Sequence, residues 1–99
     1  MPREIPYPKP GEILLEEFLK PMGINQNRLA DEIDVSPSII AAIIAGKSAI
    51  TADIGLRLSR FFGMSEGFWV GLQVDYDMEE LKDTLAETLA KIRPYQTAA

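Results

Sequence analysis

The stretch Asn25–Lys47, NQNRLADEIDVSPSIIAAIIAGK, decides the fold. It opens on an asparagine that can cap a helix, with Ile24 before it and Leu29 at the fourth helical position placed to clasp each other across that end. Ala30 and Ile33 extend the apolar face, so a helix is expected from Asn25 to near Asp34. Ser36-Pro37 restarts the pattern, a capping residue followed by proline at the first helical position, where its missing N–H costs nothing. Val35 and Ile40 repeat the clasp, and this helix runs to about Ala45, where Gly46 supplies a left-handed residue to end it. The link of about three residues is too short for antiparallel side-by-side packing and predicts two crossed helices, a helix-turn-helix. Leu29, Ala30, Ile33, Val35, Ile40 and Ile43 are the apolar groups that would meet at the crossing, and these six are expected in the core.

Upstream, Leu14, Leu15, Phe18 and Leu19 recur at three- and four-residue intervals, predicting a helix from Gly11 to Lys20 that Pro21 and Gly23 stop. Before it, Pro2, Pro6, Pro8 and Pro10 favour an extended arm over residues 1–9. Downstream, Thr51 caps a helix through Phe62 and Gly63 closes it, while Ser65 caps a fifth helix with Met64 and Trp69 as its clasp. Asp77-x-x-Glu80 has the form of a capping box and starts an amphipathic helix whose stripe is Met78, Leu81, Leu85, Leu89 and Ile92. No window alternates as a strand would, so the chain reads as all-α with five to six short helices. The expected divisions are an arm at 1–9, a domain at 10–76 carrying the motif at 26–45, an amphipathic helix at 77–93 and a tail at 94–99.

Ninety-nine residues make one small domain with one core. The chain has no cysteine and no histidine, which removes thiolate and imidazole chemistry and every zinc site built from those ligands. No enzyme activity, cofactor or metal is expected. Nothing at the start has the form of a signal peptide and no stretch nears the length that spans a bilayer, so a cytoplasmic protein is expected. The net charge of −5 is uneven: residues 1–65 carry 8 acids and 7 bases, whereas residues 66–99 carry 7 acids and 3 bases. Gly63-Met64-Ser65-Glu66-Gly67 matches the Gly-x-Ser-x-Gly nucleophile pattern, but with no histidine available its glycine and serine are better read as a helix stop and a helix cap. Asp75-x-Asp77-x-Glu79 begins like a calcium loop, yet the sixth position is Glu80 and the twelfth Ala86.

Several segments together resemble a known family. They are Pro10-Gly11-Glu12-Ile13-Leu14, Gln26-x-x-Leu29-Ala30, Ala45-Gly46-Lys47 with Ile50-Thr51-Ala52, Leu56-Arg57-Leu58-Ser59-Arg60-Phe61-Phe62-Gly63, and Phe68-Trp69-x-x-Leu72-Gln73-x-x-Tyr76-Asp77. Over residues 8–94 the chain is similar to the HigA/VapI-type antitoxins of the Xre (Cro/C1-type) helix-turn-helix class. The resemblance implies a lambda-repressor-like domain and a homodimer that binds double-stranded operator DNA as an autorepressor. It also implies a partner toxin, a HigB-type endoribonuclease, that the protein neutralises. By position it implies that Gln26, with Asn27 beside it, holds phosphate at the start of the first motif helix. Ser38, Ile39 and Ala42 would face the major groove from exposed positions, Ser36 would add its hydroxyl, and Lys47 would grip the backbone. Asp34 stands where a glycine is frequent, and aspartate tolerates positive φ better than most residues.

The recognition positions cannot make the bidentate contacts that read guanine or adenine, so contact with thymine methyls, helix N-terminal amides and DNA shape would carry more of the specificity. Trp69 with Phe68 and Tyr76 reads as core packing rather than a ligand box. Two readings of the Met78–Ile92 stripe stand side by side, folding onto its own domain or a dimer or toxin seam. The acidic run from Asp75 to Glu87 is either a solvated face or a surface complementary to a basic toxin. A stand-alone regulator without a toxin, and a protein-interaction module whose apolar Ile39–Ile44 face has lost DNA binding, are the competing functions.

Overall fold

A computed structural model describes residues 7–95. Residues 1–6 of the expected arm and 96–99 of the expected tail lie outside the described residues. The described chain forms six helices and, among these residues, no strand. The first helix, α1, covers residues 10–22: Pro10–Ile13 and Lys20–Met22 are α-helical, and Leu14–Leu19 between them is π-helical. Then follow α2 (Gln26–Glu32), α3 (Pro37–Ile44), α4 (Ala52–Phe62), α5 (Phe68–Thr84) and α6 (Ala86–Lys91).

Proline 21 does not stop α1. It lacks an N–H and its ring would strike the carbonyl four residues back, and the chain answers by widening the preceding turns, with the Lys20 N–H reaching five residues back to Leu15 O. The stop comes at Gly23, at φ +67°.

One device ends each of the first four helices. In α1 the N–H of Gly23 bonds Lys20 O at 3.1 Å and that of Ile24 bonds Leu19 O at 3.0 Å, the paired reverse bonds of a Schellman motif. Gly46 with Lys47 repeats it after α3, and Gly63 with Met64 after α4. After α2 the left-handed position is Asp34, φ +60°, with Val35 N–H bonding Ala30 O at 2.9 Å. The apolar residues that follow at 24, 35 and 64 are each partly buried against the core.

The core consists of Leu14 and Leu19 from α1, Leu29, Ala30 and Ile33 from the α2 segment, Ile40 and Ile43 from α3, Ile50, Ile54 and Leu58 around α4, and Trp69 from α5. Five of the six expected crossing residues are therefore buried, and Val35 packs partly buried at the edge. Trp69 is fully enclosed, with Phe18 tilted against it at 4.9 Å and Phe68 edge-on at 5.3 Å between ring centroids, arrangements that aromatic quadrupoles prefer. It is core, as expected.

Downstream of the core the expected boundaries shift. Ser65 does not cap: the residue before α5 is Gly67, without a side-chain cap, and the Ser65 carbonyl accepts the Phe68 N–H at 3.2 Å. Nor does Asp77 start a helix, since α5 runs through it to Thr84 and the interruption falls at Leu85. The Asp77 carboxylate accepts a bond from Gln73 Nε2 at 3.0 Å, one helical turn back, which removes it as a cap. Asp75, Asp77 and Glu79 consequently lie along one helix rather than on a calcium-type loop.

The second half of α5 and all of α6 project from the domain. Met78, Leu81, Leu89 and Ile92 are 49–61% exposed and Leu85 37%. The radius of gyration is 17.0 Å, against about 13 Å for a compact chain of this length. The stripe is thus not folded onto its own domain.

Candidate nucleic-acid interface

Two helices crossing at a short turn can present a surface only if the pair is held in place, and three contacts hold it, one at the turn and two at the far end of α3. Arg57 on α4 donates through Nη1 to the carbonyls of Ile33 at 2.8 Å and Asp34 at 3.0 Å, while its Nε bonds the Asp53 carboxylate. A guanidinium thereby satisfies the two turn carbonyls just past α2 and sets a positive charge at that helix's negative end.

Gln73 on α5 does the same for the loop after α3. It is buried, and its Oε1 accepts the Ile50 N–H at 2.8 Å. The third contact needs no side chain: α1 passes so close to the end of α3 that a Cβ at Gly11 would stand 2.0 Å from Ile43 O. The sequence did carry a signal for Gln73. It shares a helical face with Trp69 four residues back, and a polar group there must find a partner.

The expected contact residues divide into three groups. Gln26 and Asn27 form the first turn of α2, capped by Asn25 Oδ1, which accepts the Arg28 N–H at 2.7 Å. Gln26 is half-buried beside Leu15, Leu19 and Lys20, and Asn27 is exposed. Ser36 and Ser38 are exposed at the start of α3 with their hydroxyls 2.6 Å apart. Ser36 stands at the N-cap position but makes no capping bond; its hydroxyl is committed to Ser38 instead. Ile39 follows on the same helix, 40% exposed.

Ala42 is half-buried rather than exposed, because it lies beside the buried Ile43 on the flank of α3 that turns toward the core. Lys47 is exposed, and its N–H bonds Ala42 O at 2.9 Å, so the lysine is set one turn past that alanine. Among the described residues no hydrogen bond joins Gln26 or Asn27 to α3.

The surface is sparsely charged. Arg28 faces Glu32 at 3.6 Å on its own helix, and Lys47 forms no ion pair among the described residues. What it offers chemically is two serine hydroxyls, the unbonded N–H groups of two helix N-termini, an exposed isoleucine and a lysine. That set suits phosphate oxygens and thymine methyls more than the polar edges of guanine or adenine. Among the described residues no group of three acidic residues, His or Cys could hold a metal ion, and no helix is long and apolar enough to cross a membrane.

Comparison with known proteins fits this geometry. The helix-turn-helix family HTH_3 matches residues 15–69. Virulence-associated protein I of Dichelobacter nodosus is 47% identical over 76 residues, covering 77% of this chain and 70% of that protein. Among solved structures, the Pseudomonas aeruginosa antitoxin HigA with the higBA promoter superposes with a TM-score of 0.83 at 32% identity, covering 91% of this chain and 99% of that one. The antitoxin GraA in complex with its operator gives 0.85 at 28% identity, covering 98% of this chain and 99% of that one.

Proposed function

Since this chain belongs to the HTH_3 helix-turn-helix family, we propose that it is an antitoxin that binds operator DNA, represses its own operon and neutralises a partner RNase toxin. One observation carries the reading. The whole described fold, projecting C-terminal helices included, matches that of antitoxins solved with their promoter or operator DNA. In this reading the start of α3 enters the major groove, the N–H groups and side chains at the start of α2 hold phosphate, and Lys47 holds the backbone beyond α3. The protein works in the cytoplasm, without catalysis.

The unit that binds is a homodimer, whose two-fold axis asks for a palindromic site and doubles the few phosphate contacts each copy makes. Its seam is the stripe from Met78 to Ile92, which the domain leaves uncovered. Fluorescence anisotropy tests the reading, comparing a labelled duplex from immediately upstream of this gene with a shuffled duplex at two salt concentrations. Preference for the upstream duplex that persists at the higher salt supports it. Equal, salt-quenched binding to both refutes it and favours protein interaction through the apolar α3 face.

A further inference from the structure

We propose that Lys9 is a second phosphate-binding cation of the interface, forming with Lys47 a paired clamp at the C-terminal end of α3. The inference rests on the operator-binding reading above and adds to it a residue from outside the helix-turn-helix. Lys9 immediately precedes α1, and its carbonyl accepts the N–H groups of Glu12 at 2.9 Å and Ile13 at 3.2 Å, which fixes its backbone. The contact between Gly11 and Ile43 O then fixes this end of α1 against α3. The side chain runs across Gly46: a Cβ there would lie 3.1 Å from Lys9 Nζ and 3.2 Å from its Cδ. The absent side chain of Gly46 makes room for the ammonium beside Lys47.

Lys9, Gly46, Lys47 and Ser48 line one cleft of about 200 Å³, and Asp77 is the single carboxylate among its lining residues. That carboxylate is taken up by Gln73 Nε2 at 3.0 Å. Among the described residues, neither lysine is ion-paired, whereas Lys20, Arg28, Arg57 and Lys82 each face an acid on their own helix. Two lysines that line one cleft set like charges near each other, and a phosphate oxygen bound between them would turn that repulsion into attraction. The competing role for Lys9 is purely structural, as a cation at the negative end of α3.

Salt dependence separates the two roles, because each phosphate neutralised contributes about 0.9 to the slope of log K against log salt. Anisotropy titrations of the upstream duplex over a salt series are compared for the wild type, Lys9→Gln, Lys9→Arg and the control Arg60→Gln, an exposed cation on α4 outside both the interface and the seam. Lys9→Gln is expected to lower the slope by about 0.9 per bound copy, about 1.8 for a dimer on a palindrome. Lys9→Arg is expected to restore it, and Arg60→Gln to leave it unchanged. An unchanged slope in Lys9→Gln overturns the clamp, and an unchanged slope with a lowered melting temperature assigns Lys9 to the helix end instead. Absence of duplex preference in the wild type refutes the operator reading itself, and the clamp with it, without reference to any variant.

Discussion

Replacing Gly11 by alanine adds one methyl group where α1 crosses closest to the end of α3. That methyl falls 2.0 Å from Ile43 O, 2.8 Å from the Ile43 carbonyl carbon and 2.9 Å from Ile44 Cα. Carbon and carbonyl oxygen approach to about 3.3 Å at closest comfortable contact, so α1 and α3 must part by roughly 1 Å. The obstruction is backbone, which cannot swing aside, and the next turn of α1 carries the fully buried Leu14.

Overpacking of this kind costs about 1–3 kcal/mol. Against it stands the gain in helix propensity, at most about 1 kcal/mol and less in a first turn. The net loss of about 1–2 kcal/mol converts to a fall in Tm of about 4–16 °C for a domain of this size. Thermal unfolding followed by circular dichroism measures it, with Gly71→Ala as the internal control. Gly71 lies within α5, where an added Cβ would meet nothing within 4 Å, so the same chemical change there is expected to raise Tm. A Gly11→Ala protein that melts at or above the wild-type temperature refutes the account of the crossing.

Four further outcomes are expected. Arg57→Met removes the donor that serves Ile33 O and Asp34 O and should lower stability by about 1.5–3 kcal/mol; an unchanged urea midpoint would show that the turn holds itself. Asp34→Gly relieves the left-handed backbone at φ +60° and removes a negative charge from the end of α2, so stability should rise by about 0.5–1 kcal/mol, and a lower midpoint would count against strain at this residue. Ile39→Glu, on the exposed side of α3, should cut affinity for the upstream duplex at least tenfold with Tm held within a few degrees; full binding would move the recognition surface elsewhere. Leu89→Asp in the uncovered stripe should shift the protein to monomer in sedimentation velocity, and a persisting dimer would place the seam off this helix.

Most of this architecture was readable from local chemistry, and the parts that were not have identifiable causes. The caps at Asn25 and Thr51 form as their spacing predicts, each side chain accepting the N–H three residues on. The same reasoning fails at Ser36, whose hydroxyl has a nearer partner in Ser38, and at Ser65, whose position is two residues too early for the helix that follows. Asp77-x-x-Glu80 has the pattern of a capping box, but the pattern cannot reveal that the preceding turn is already helical. Gln73, held by Ile50, keeps it so. Proline at 21 marks a break in a regular α-helix but not in one that can widen.

The contact residues expected on α2 and α3 come from the family resemblance rather than from periodicity; Ser38 and Ile39 are exposed as expected, whereas the neighbours of Ala42 draw it partly inside. The contacts that hold those helices come from elsewhere in the chain. Arg57 reaches back 24 residues to Ile33, Gln73 reaches back 23 to Ile50, and no local period encodes either. Lys9 was hidden for a related reason: it adjoins α3 only after the chain has passed through two other helices.

The apolar stripe that the domain leaves bare also bears on how the gene would respond to its own product. Where two copies close over it to form the binding unit, operator occupancy at low abundance rises with the square of protein concentration. Promoter output then stays near its maximum while the protein is scarce and falls steeply over a narrow range once pairing sets in. With the seam proposed above, polar substitutions along the exposed Met78 to Ile92 stripe would move that threshold to higher abundance while leaving α2 and α3 untouched, and the setting of the switch and the reading of the site would lie on separate parts of one small chain.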